Sequence, residues 1–292
     1  MIAHPFLAAR AYDRPLMLEP RRAATLEPIL RQHLIHGAPP EKLAGLLNEQ
    51  KYYEYDDEGY RIRRTELVER VGNVGIIAVE GTLVHKGAWI GSYCGMTSYQ
   101  GLTSQIAEAL ADPAIRAVAF EFDTPGGEVS GAFDCADALA DLSAAKETIA
   151  ICTDMAYSAG YLLASQCRQI VVPASGGVGS IGVITMHLDM SAALAAAGVK
   201  VTLITAGAHK ADGNPFEALP SDVRDKLAGE CEDARLLFAD AVGRGRGKRL
   251  DRASALATEA DCYSGIDAVS AGLADFTNSP QTAFTAFVER HA

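Results

Sequence analysis

The spacing of apolar residues divides the chain near residue 71. Before it, apolar residues recur at helical spacing over Ala23–His36 and Pro40–Gln50, which predicts two short helices. The polar and aromatic stretch KYYEYDDEGYRIRR, Lys51–Arg64, follows. It is predicted to be a solvated connector or an exposed arm that docks a partner. We therefore expect an N-terminal helical arm and linker over residues 1–66, too small to form a domain alone.

Beyond this point, short β-rich runs alternate with helical segments. The runs VGNVGIIAVEGTLV, RAVAFEFD, TIAICTD, QIVVPA, IGVITMHLD and KVTLITA predict strands. Helices are predicted between or after them, at Ser98–Leu110, Val129–Ala145, Ser158–Gln166, Ser191–Ala197, Ser221–Val242 and Ile266–Leu273. Such alternation is typical of parallel strands joined by crossover helices. We expect an α/β layered domain over residues 67–277 and a C-terminal tail over 278–292.

Composition and charge narrow the class of protein. The chain has 292 residues, 49% of them apolar and 22% charged, as in an ordinary globular protein. With 26 Lys and Arg against 37 Asp and Glu, the formal net charge is −11, which disfavours a nucleic-acid binder. We find neither a secretory signal pattern nor a run of about 18 apolar residues. A cytoplasmic protein that does not bind a membrane is therefore expected.

The cysteines are far apart and form no CxxC pair. They are interpreted as reduced and mostly buried small apolar side chains, so no metal site and no cofactor are expected. The six positions are Cys94, Cys135, Cys152, Cys167, Cys231 and Cys262.

The segment DTPGGEV, Asp123–Val129, follows a predicted strand and precedes a predicted helix. Pro125 fixes its own φ and lacks a backbone donor, whereas Gly126 and Gly127 permit backbone conformations closed to other residues. Such a turn can direct amide N–H groups into a cleft. The alternative is a tight strand-to-helix connection that binds nothing.

The segment MAYSAGYLLAS, Met155–Ser165, also follows a predicted strand. Ser158 is expected at or near a helix N-terminus, where unpaired N–H groups and the macrodipole favour developing negative charge. This position suits a nucleophile. It equally suits a plain N-cap, because serine is among the best capping residues.

A single lysine, Lys210, lies in the segment ITAGAHKADGNPF. Lysine acts as a base only when it is neutral, which requires burial to lower its pKa from about 10.4 toward about 7 to 8. A shift of about three units costs on the order of 4 kcal/mol, so a buried lysine without a function should be rare. The alternative is that Lys210 points into solvent.

A glycine-rich segment, SGGVGSIGV, contains Gly177, Gly179 and Gly182 in the spacing GxGxxG. The dinucleotide fingerprint requires a helix after the glycines, but VITMHLD looks extended, and no acidic residue stands about 20 positions beyond. Close backbone approach is the preferred interpretation, with Ser180 pointing into the same cleft as the other segments.

In this order, TPGG, YSAGY, GSIGV and AGAHK resemble the signal peptide peptidase A family of serine proteases, which has the Clp protease and crotonase type of fold. Within that family the likeness is closer to bacteriophage head-maturation proteases. The segment RPLMLEP, Arg14–Pro20, resembles the start of those phage enzymes. The resemblance covers residues 71–275 well and the N-terminal arm more loosely. It implies a Ser-Lys dyad in which Ser158 is the nucleophile, Lys210 is the general base and Ser180 hydrogen-bonds the lysine amine.

The resemblance also implies an oxyanion hole formed by the amide N–H of Gly127 or Gly126 together with that of Ala159. Family members often have Gly-Gly where this chain has Ala159-Gly160, but Ala159 keeps its amide hydrogen. The implied substrates are capsid, portal or scaffold proteins, cleaved in the host cytoplasm or inside the prohead. A neutral lysine needs an apolar cleft, closed by substrate or by neighbouring subunits, and the enzyme is expected to be a homo-oligomer.

Several rival functions remain open at this stage. Crotonase-type enzymes use the same paired amides on acyl-CoA, and a Ser-His-Asp hydrolase would use His187 or His209. Residues adjacent in an extended segment point to opposite sides, so His209 and Lys210 cannot both serve one serine. A general signal-peptide-peptidase-like protease and a non-catalytic capsid-assembly protein are further alternatives. The basic run GRGRGKR, Gly243–Arg249, is predicted to be a hydrated loop rather than a partner site.

Overall fold

The structure is a computed structural model, and it describes residues 16–18, 53–55, 61–63, 67–86 and 95–292. The helices predicted at Ala23–His36 and Pro40–Gln50 lie outside these residues. Within the predicted connector, β2 (Tyr53–Tyr55) pairs antiparallel with β3 (Arg61–Arg63). Part of that connector is therefore a two-stranded sheet.

The central sheet has eight strands and is built around the long strand β10. Strands β5, β8 and β10 run parallel, as the alternating pattern predicts. β10 pairs in parallel first with β11 and then, nearer its C-terminal end, with β12. The eight strands are β4 (Glu69–Val71), β5 (Val74–Glu80), β8 (Ala117–Thr124), β10 (Glu147–Tyr157), β11 (Gln169–Val172), β12 (Gly177–Gly179), β13 (Cys262–Ser264) and β14 (Phe276–Thr277).

A smaller four-stranded sheet has the order β1-β9-β6-β7. Its strands are β1 (Leu16–Leu18), β6 (Thr82–Val84), β7 (Met96–Ser98) and β9 (Gly126–Glu128). Only Pro125 separates the end of β8 from the start of β9. The TPGG segment therefore carries the chain from one sheet into the other.

Eight α-helices occur in the described residues, and the six predicted ones are among them. They are α1 (Tyr99–Ala111), α2 (Ala132–Ala145), α3 (Ala159–Ala164), α4 (Ser191–Ala196), α5 (Ser221–Arg246), α6 (Arg252–Ala257), α7 (Gly265–Ser270) and α8 (Pro280–Arg290). None of them is long and apolar enough to cross a membrane. The prediction missed α6 and α8.

Alternate residues of β8 face two separate apolar clusters, because side chains of a strand point to opposite faces. Val118 and Phe120 join the larger cluster, which includes residues of α1, α2, α3 and α5. Ala117 and Ala119 join the smaller cluster, where Phe287 of α8 packs. Helices thus cover both faces of a largely parallel sheet, which confirms the predicted α/β layers.

Helix α8 occupies the segment predicted to be a tail. Ser279 caps it by accepting a hydrogen bond from the Thr282 amide, and Pro280 stands in the first turn, where its missing N–H costs nothing. Ala283 and Phe287, four positions apart, are both buried against the sheet. This segment is therefore a packed part of the layered domain.

Two predicted strands are absent from the structure. Residues 181–189, the run IGVITMHLD, contain only an isolated bridge at residue 184, and residues 200–206, the run KVTLITA, form no strand. Their apolar composition favours β structure, but a strand also needs a neighbouring strand for its backbone hydrogen bonds. Neither run acquires one within the part of the chain that is described.

Three of the four basic side chains of the run Gly243–Arg249 are exposed, as predicted, but the run is helical rather than a loop and Arg246 is buried. Helix α5 continues through Arg246, and one 3-10 turn follows. The Arg246 side chain is fully buried, donating to both Asp275 carboxylate oxygens and to the Gly272 carbonyl. The prediction failed at Arg246 because its partner, the Asp275 carboxylate, is distant in sequence.

The cysteines are mostly buried, as predicted. Cys135, Cys152 and Cys167 are buried, Cys231 is half-buried and Cys262 is exposed, whereas Cys94 lies outside the described residues. Burial raises the pKa of the Cys135 and Cys152 thiols to about 12. These two thiols are therefore protonated at neutral pH.

Candidate active site

Ser158 stands at the sharp turn between β10 and α3. Its φ is 54° and its ψ is −120°, a conformation that non-glycine residues rarely adopt and that costs about 1–3 kcal/mol. Two backbone hydrogen bonds hold it there. The Ser158 amide donates to the Gly179 carbonyl at 2.8 Å, and the Ser158 carbonyl accepts from the Leu162 amide at 2.9 Å.

The Ser158 hydroxyl is fully buried. It makes no capping hydrogen bond to α3, and Oγ has no hydrogen-bond partner among the residues described. The N-cap interpretation is therefore wrong for the side chain. A buried, unpaired hydroxyl on a strained turn is costly for the fold, and such features cluster at functional sites.

Ser180 lies beside Ser158 at the level of the backbone. Tyr157 and Gly179 are paired residues of β10 and β12, so the two serines that follow them are neighbours at the ends of parallel strands. Ser180 is also buried and has a φ of 55°. The structure thus brings these two predicted residues together.

The glycines of the GxGxxG spacing allow close approach of neighbouring groups, as expected. A Cβ at Gly177 would lie 2.0 Å from the Tyr157 hydroxyl, and one at Gly182 would lie 2.6 Å from Ala260 Cβ. No helix opens directly after these glycines, since α4 begins only at Ser191.

Gly126 lies against Ser158, and Gly127 lies against Leu83 of the neighbouring strand β6. A Cβ at Gly126, where φ is 103°, would lie 2.9 Å from Ser158 Cβ and 3.1 Å from the Ala159 nitrogen. At Gly127 it would lie 1.9 Å from the Leu83 carbonyl oxygen. Both positions therefore require glycine, and Gly126, one of the two predicted oxyanion glycines, is in direct contact with the candidate site.

Thr124 organises this turn, and its role was not predicted. Its hydroxyl donates to the Gly81 carbonyl at 2.6 Å and accepts from the Gly126 amide at 3.1 Å. The Gly126 N–H is thus bound to the Thr124 hydroxyl, while Gly127 is paired with both β1 and β6. Gly160 lets Thr124 come close, because a Cβ there would lie 2.4 Å from Thr124 Cγ2. In the sequence, this role could have been inferred from Thr124 in TPGG and from Gly160 in SAG.

The helix that follows Ser158 is apolar and buried. All six residues of α3 are buried. Burial raises the pKa of Tyr161 well above its ordinary value, and the hydroxyl donates to the Leu273 carbonyl at 3.0 Å. Such an environment disfavours charge, so it would favour the neutral form of a lysine brought into it.

Lys210, in contrast, lies in an exposed turn. Its amide donates to the Gly207 carbonyl at 3.2 Å. Since Ser158 Oγ has no partner among the described residues, Lys210 does not hydrogen-bond it. The buried lysine expected from the sequence is thus not formed within this single chain.

Neither candidate histidine completes a Ser-His-Asp arrangement. His209 Nδ1 lies 3.0 Å from an Asp212 carboxylate oxygen, but the histidine side chain is 77% exposed. The unpaired Ser158 hydroxyl excludes a hydrogen bond to His187 as well as to His209. Within residues 67–86 and 95–292, no group of His, Cys, Asp or Glu is arranged to hold a metal ion.

Comparison with known families identifies the chain. The model of peptidase family S49 matches residues 140–291, slightly more than half of the sequence. The matched region contains Ser158, Ser180 and Lys210. The chain belongs to peptidase family S49. The resemblance to signal-peptide-peptidase-type serine proteases is thereby confirmed.

Individual relatives of this S49 chain include phage proteins. The capsid assembly protease C of Escherichia phage lambda is 39% identical over 93% of this chain and 62% of its own length. The head-tail preconnector protein of Enterobacteria phage P21 is 38% identical over 92% of this chain and 54% of its own length. A putative signal peptide peptidase of Enterococcus faecium is 29% identical over 61% of this chain and 52% of its own length. The chain thus spans little more than half the length of these relatives.

Proposed function

We propose that this chain is a serine endopeptidase of phage head maturation that uses a Ser158–Lys210 dyad. The observation that carries the proposal is the buried, unpaired Ser158 hydroxyl on a strained turn beside Gly126 and the Ala159 amide. Backbone strain and an unpaired buried hydroxyl both destabilise the fold, and their occurrence at one residue supports a nucleophile at that position. Membership of a peptidase family supports the same role.

In the proposed reaction, Ser158 Oγ attacks the carbonyl carbon of a peptide bond while neutral Lys210 Nζ takes the hydroxyl proton. The amide of Gly127 or Gly126 and that of Ala159 donate to the oxyanion, and loss of one such donor typically costs about 3 kcal/mol. The leaving amine takes the proton from Lys210. Water then hydrolyses the acyl-enzyme, and Ser180 positions the lysine amine.

Assembly is proposed to bring Lys210 into its working environment, so the active enzyme is a homo-oligomer. The segment from Leu188 to Phe216 exposes apolar side chains that a single chain leaves in water, Ile204 being 95% exposed. Contiguous exposed apolar surface of this kind marks interaction sites. A second copy that covers the segment would exclude water from Lys210 and favour its neutral form.

The substrates are proposed to be capsid, portal or scaffold proteins, cleaved in the host cytoplasm or within the prohead. This rests on the names of the two phage relatives, a capsid assembly protease and a head-tail preconnector. The net charge of −11 disfavours nucleic acid as a partner.

The test is incubation of the purified chain with the head proteins of its own phage or prophage, followed by mass spectrometry of the fragments. Ser158→Ala and Lys210→Ala should each lower the cleavage rate by at least about 10⁴-fold. Ser165→Ala, a buried serine in the same region, and Lys200→Ala, an exposed lysine in the same segment, are matched controls that should cleave normally. Retained cleavage by either dyad variant would refute the assignment, and equal cleavage of unrelated proteins would refute the substrate class.

A further inference from the structure

Strand β1 lies directly beside the candidate oxyanion hole. It pairs antiparallel with β9, with Met17 opposite Gly127 and Leu18 opposite Gly126. The other edge of β9 pairs with β6. Both edges of the strand that carries the two glycines are therefore occupied, one of them by the chain's own N-terminal segment.

The Met17 carbonyl lies next to the nucleophile. A Cβ built at Gly126 would be 2.1 Å from the Met17 carbonyl oxygen, 2.9 Å from Ser158 Cβ and 3.1 Å from the Ala159 nitrogen. These three atoms therefore surround a single point. The carbonyl of a bond to be cleaved must lie in this place, between the attacking hydroxyl and the donating amide.

Ser158 and the middle residue of β1 are both buried in the structure. Ser158 is 0% exposed, and so is Met17, whose side chain belongs to the larger apolar cluster. Extended peptides are commonly bound by adding a strand to a free sheet edge, so that backbone hydrogen bonds give affinity and side-chain pockets give specificity. Here the edge beside Ser158 has already received such a strand.

We propose that β1 occupies the substrate-strand position in cis and blocks the protease until it is displaced. This rests on the proposed function of Ser158. The site would accept an extended peptide with an apolar residue at the Met17 position, because a carboxylate or ammonium group buried there would lose its hydration. An external substrate therefore competes with Leu16–Leu18 for the edge of β9.

Binding can be tested without turnover in the full-length Ser158→Ala chain. The probe is a fluorescently labelled peptide, PLMLE, that copies residues 15–19, with fluorescence anisotropy as the readout. Adding Met17→Asp should release β1 and tighten binding of the probe by at least about tenfold, because a larger fraction of molecules has a free edge. Met17→Leu, which keeps an apolar side chain, should bind as weakly as the chain with Met17. Equal affinities in all three proteins would overturn the proposal.

A second variant guards against misfolding, and hydrogen exchange tests the release of β1 independently. If Met17→Asp is misfolded by circular dichroism, Met17→Gly, which removes the buried side chain without adding charge, replaces it in the same comparison. Hydrogen exchange of the amides of residues 126–128 should be faster in the released variant, and unchanged exchange would contradict the proposal.

Catalysis separates this proposal from the function on which it rests. With Ser158 intact, the released variant should cleave denatured casein several-fold faster than the chain with Met17. If no variant cleaves casein or head proteins but the difference in peptide binding remains, the proposed protease function fails and the occupancy of the edge stands.

Discussion

The two residues of the proposed dyad lie in very different parts of the molecule. Ser158 is held by backbone hydrogen bonds on both sides and lies within the apolar core between β10 and α3. Lys210 lies in an exposed turn of a segment that leaves several apolar side chains in water, Ile204 above all. The contrast teaches that a single chain completes the buried surroundings of Ser158, whereas it leaves Lys210, the proposed base, in water.

The largest change in stability is expected from the buried ion pair between Arg246 and Asp275. Arg246→Ala should lower the free energy of unfolding by about 3–5 kcal/mol, because it leaves Asp275 without its buried partner. Chemical denaturation measures the change. Lys226→Ala, which removes the exposed contact between Lys226 and Asp212, is the control, with an expected change below about 1 kcal/mol. Similar losses of unfolding free energy in both variants would show that the buried ion pair is no more important for stability than the exposed one.

The same ion pair predicts a pH dependence. Burial would raise the pKa of Asp275, but hydrogen bonds and the charge of Arg246 hold it below its ordinary value. This carboxylate therefore contributes fully to stability above its unfolded pKa of about 3.9, and the contribution is lost as the pH falls through the lower folded pKa. Thermal unfolding in acid should show a smaller loss in Arg246→Ala than in the unaltered chain.

A smaller effect is expected from crowding the oxyanion turn. Gly127→Ala should destabilise the fold by about 1–3 kcal/mol and abolish cleavage, because the new methyl group meets the Leu83 carbonyl. Gly229→Ala is the matched control in the middle of α5, where the added methyl group meets open space. It should stabilise the chain by up to about 1 kcal/mol. A Gly127→Ala variant with full activity would show that the turn is not part of the site.

The smallest effect on folding, but a clear one on activity, is expected at the exposed segment. Ile204→Glu should leave the unfolding free energy within about 0.5 kcal/mol of the unaltered value, because the side chain is already in water. It should nevertheless weaken self-association and reduce cleavage about tenfold at low protein concentration, since a buried charge opposes the proposed contact. Ile266→Glu, at another exposed isoleucine, is the control. Sedimentation and activity that change equally in both variants would refute the role of the segment.

Sequence reasoning succeeded where a segment is determined by its own pattern. The helix predicted at Ser98–Leu110 is found at Tyr99–Ala111, and the strand RAVAFEFD is found as β8. It also placed Gly126, Gly127 and Ser180 beside Ser158, because all four lie at or just after the C-terminal ends of neighbouring parallel strands. Such ends meet at the same edge of a sheet.

It failed where the outcome depends on a distant partner. KVTLITA has the composition of a strand but acquires no neighbour, so its residues stay exposed. GRGRGKR has the composition of a hydrated loop, but Asp275 neutralises its buried Arg246. The role of Thr124 depends on the Gly81 carbonyl of another loop. Pairings of this kind are set by tertiary structure and leave no periodic signal in the chain.

The strained backbone at Ser158 sets the stability of the fold against its proposed function. Glycine adopts its dihedral angles without the clash that a Cβ causes, so a glycine there would relieve about 1–3 kcal/mol of strain. A chain selected for robustness alone would gain by discarding the hydroxyl. If Ser158 is the proposed nucleophile, its retention is a case in which activity is kept at the expense of stability.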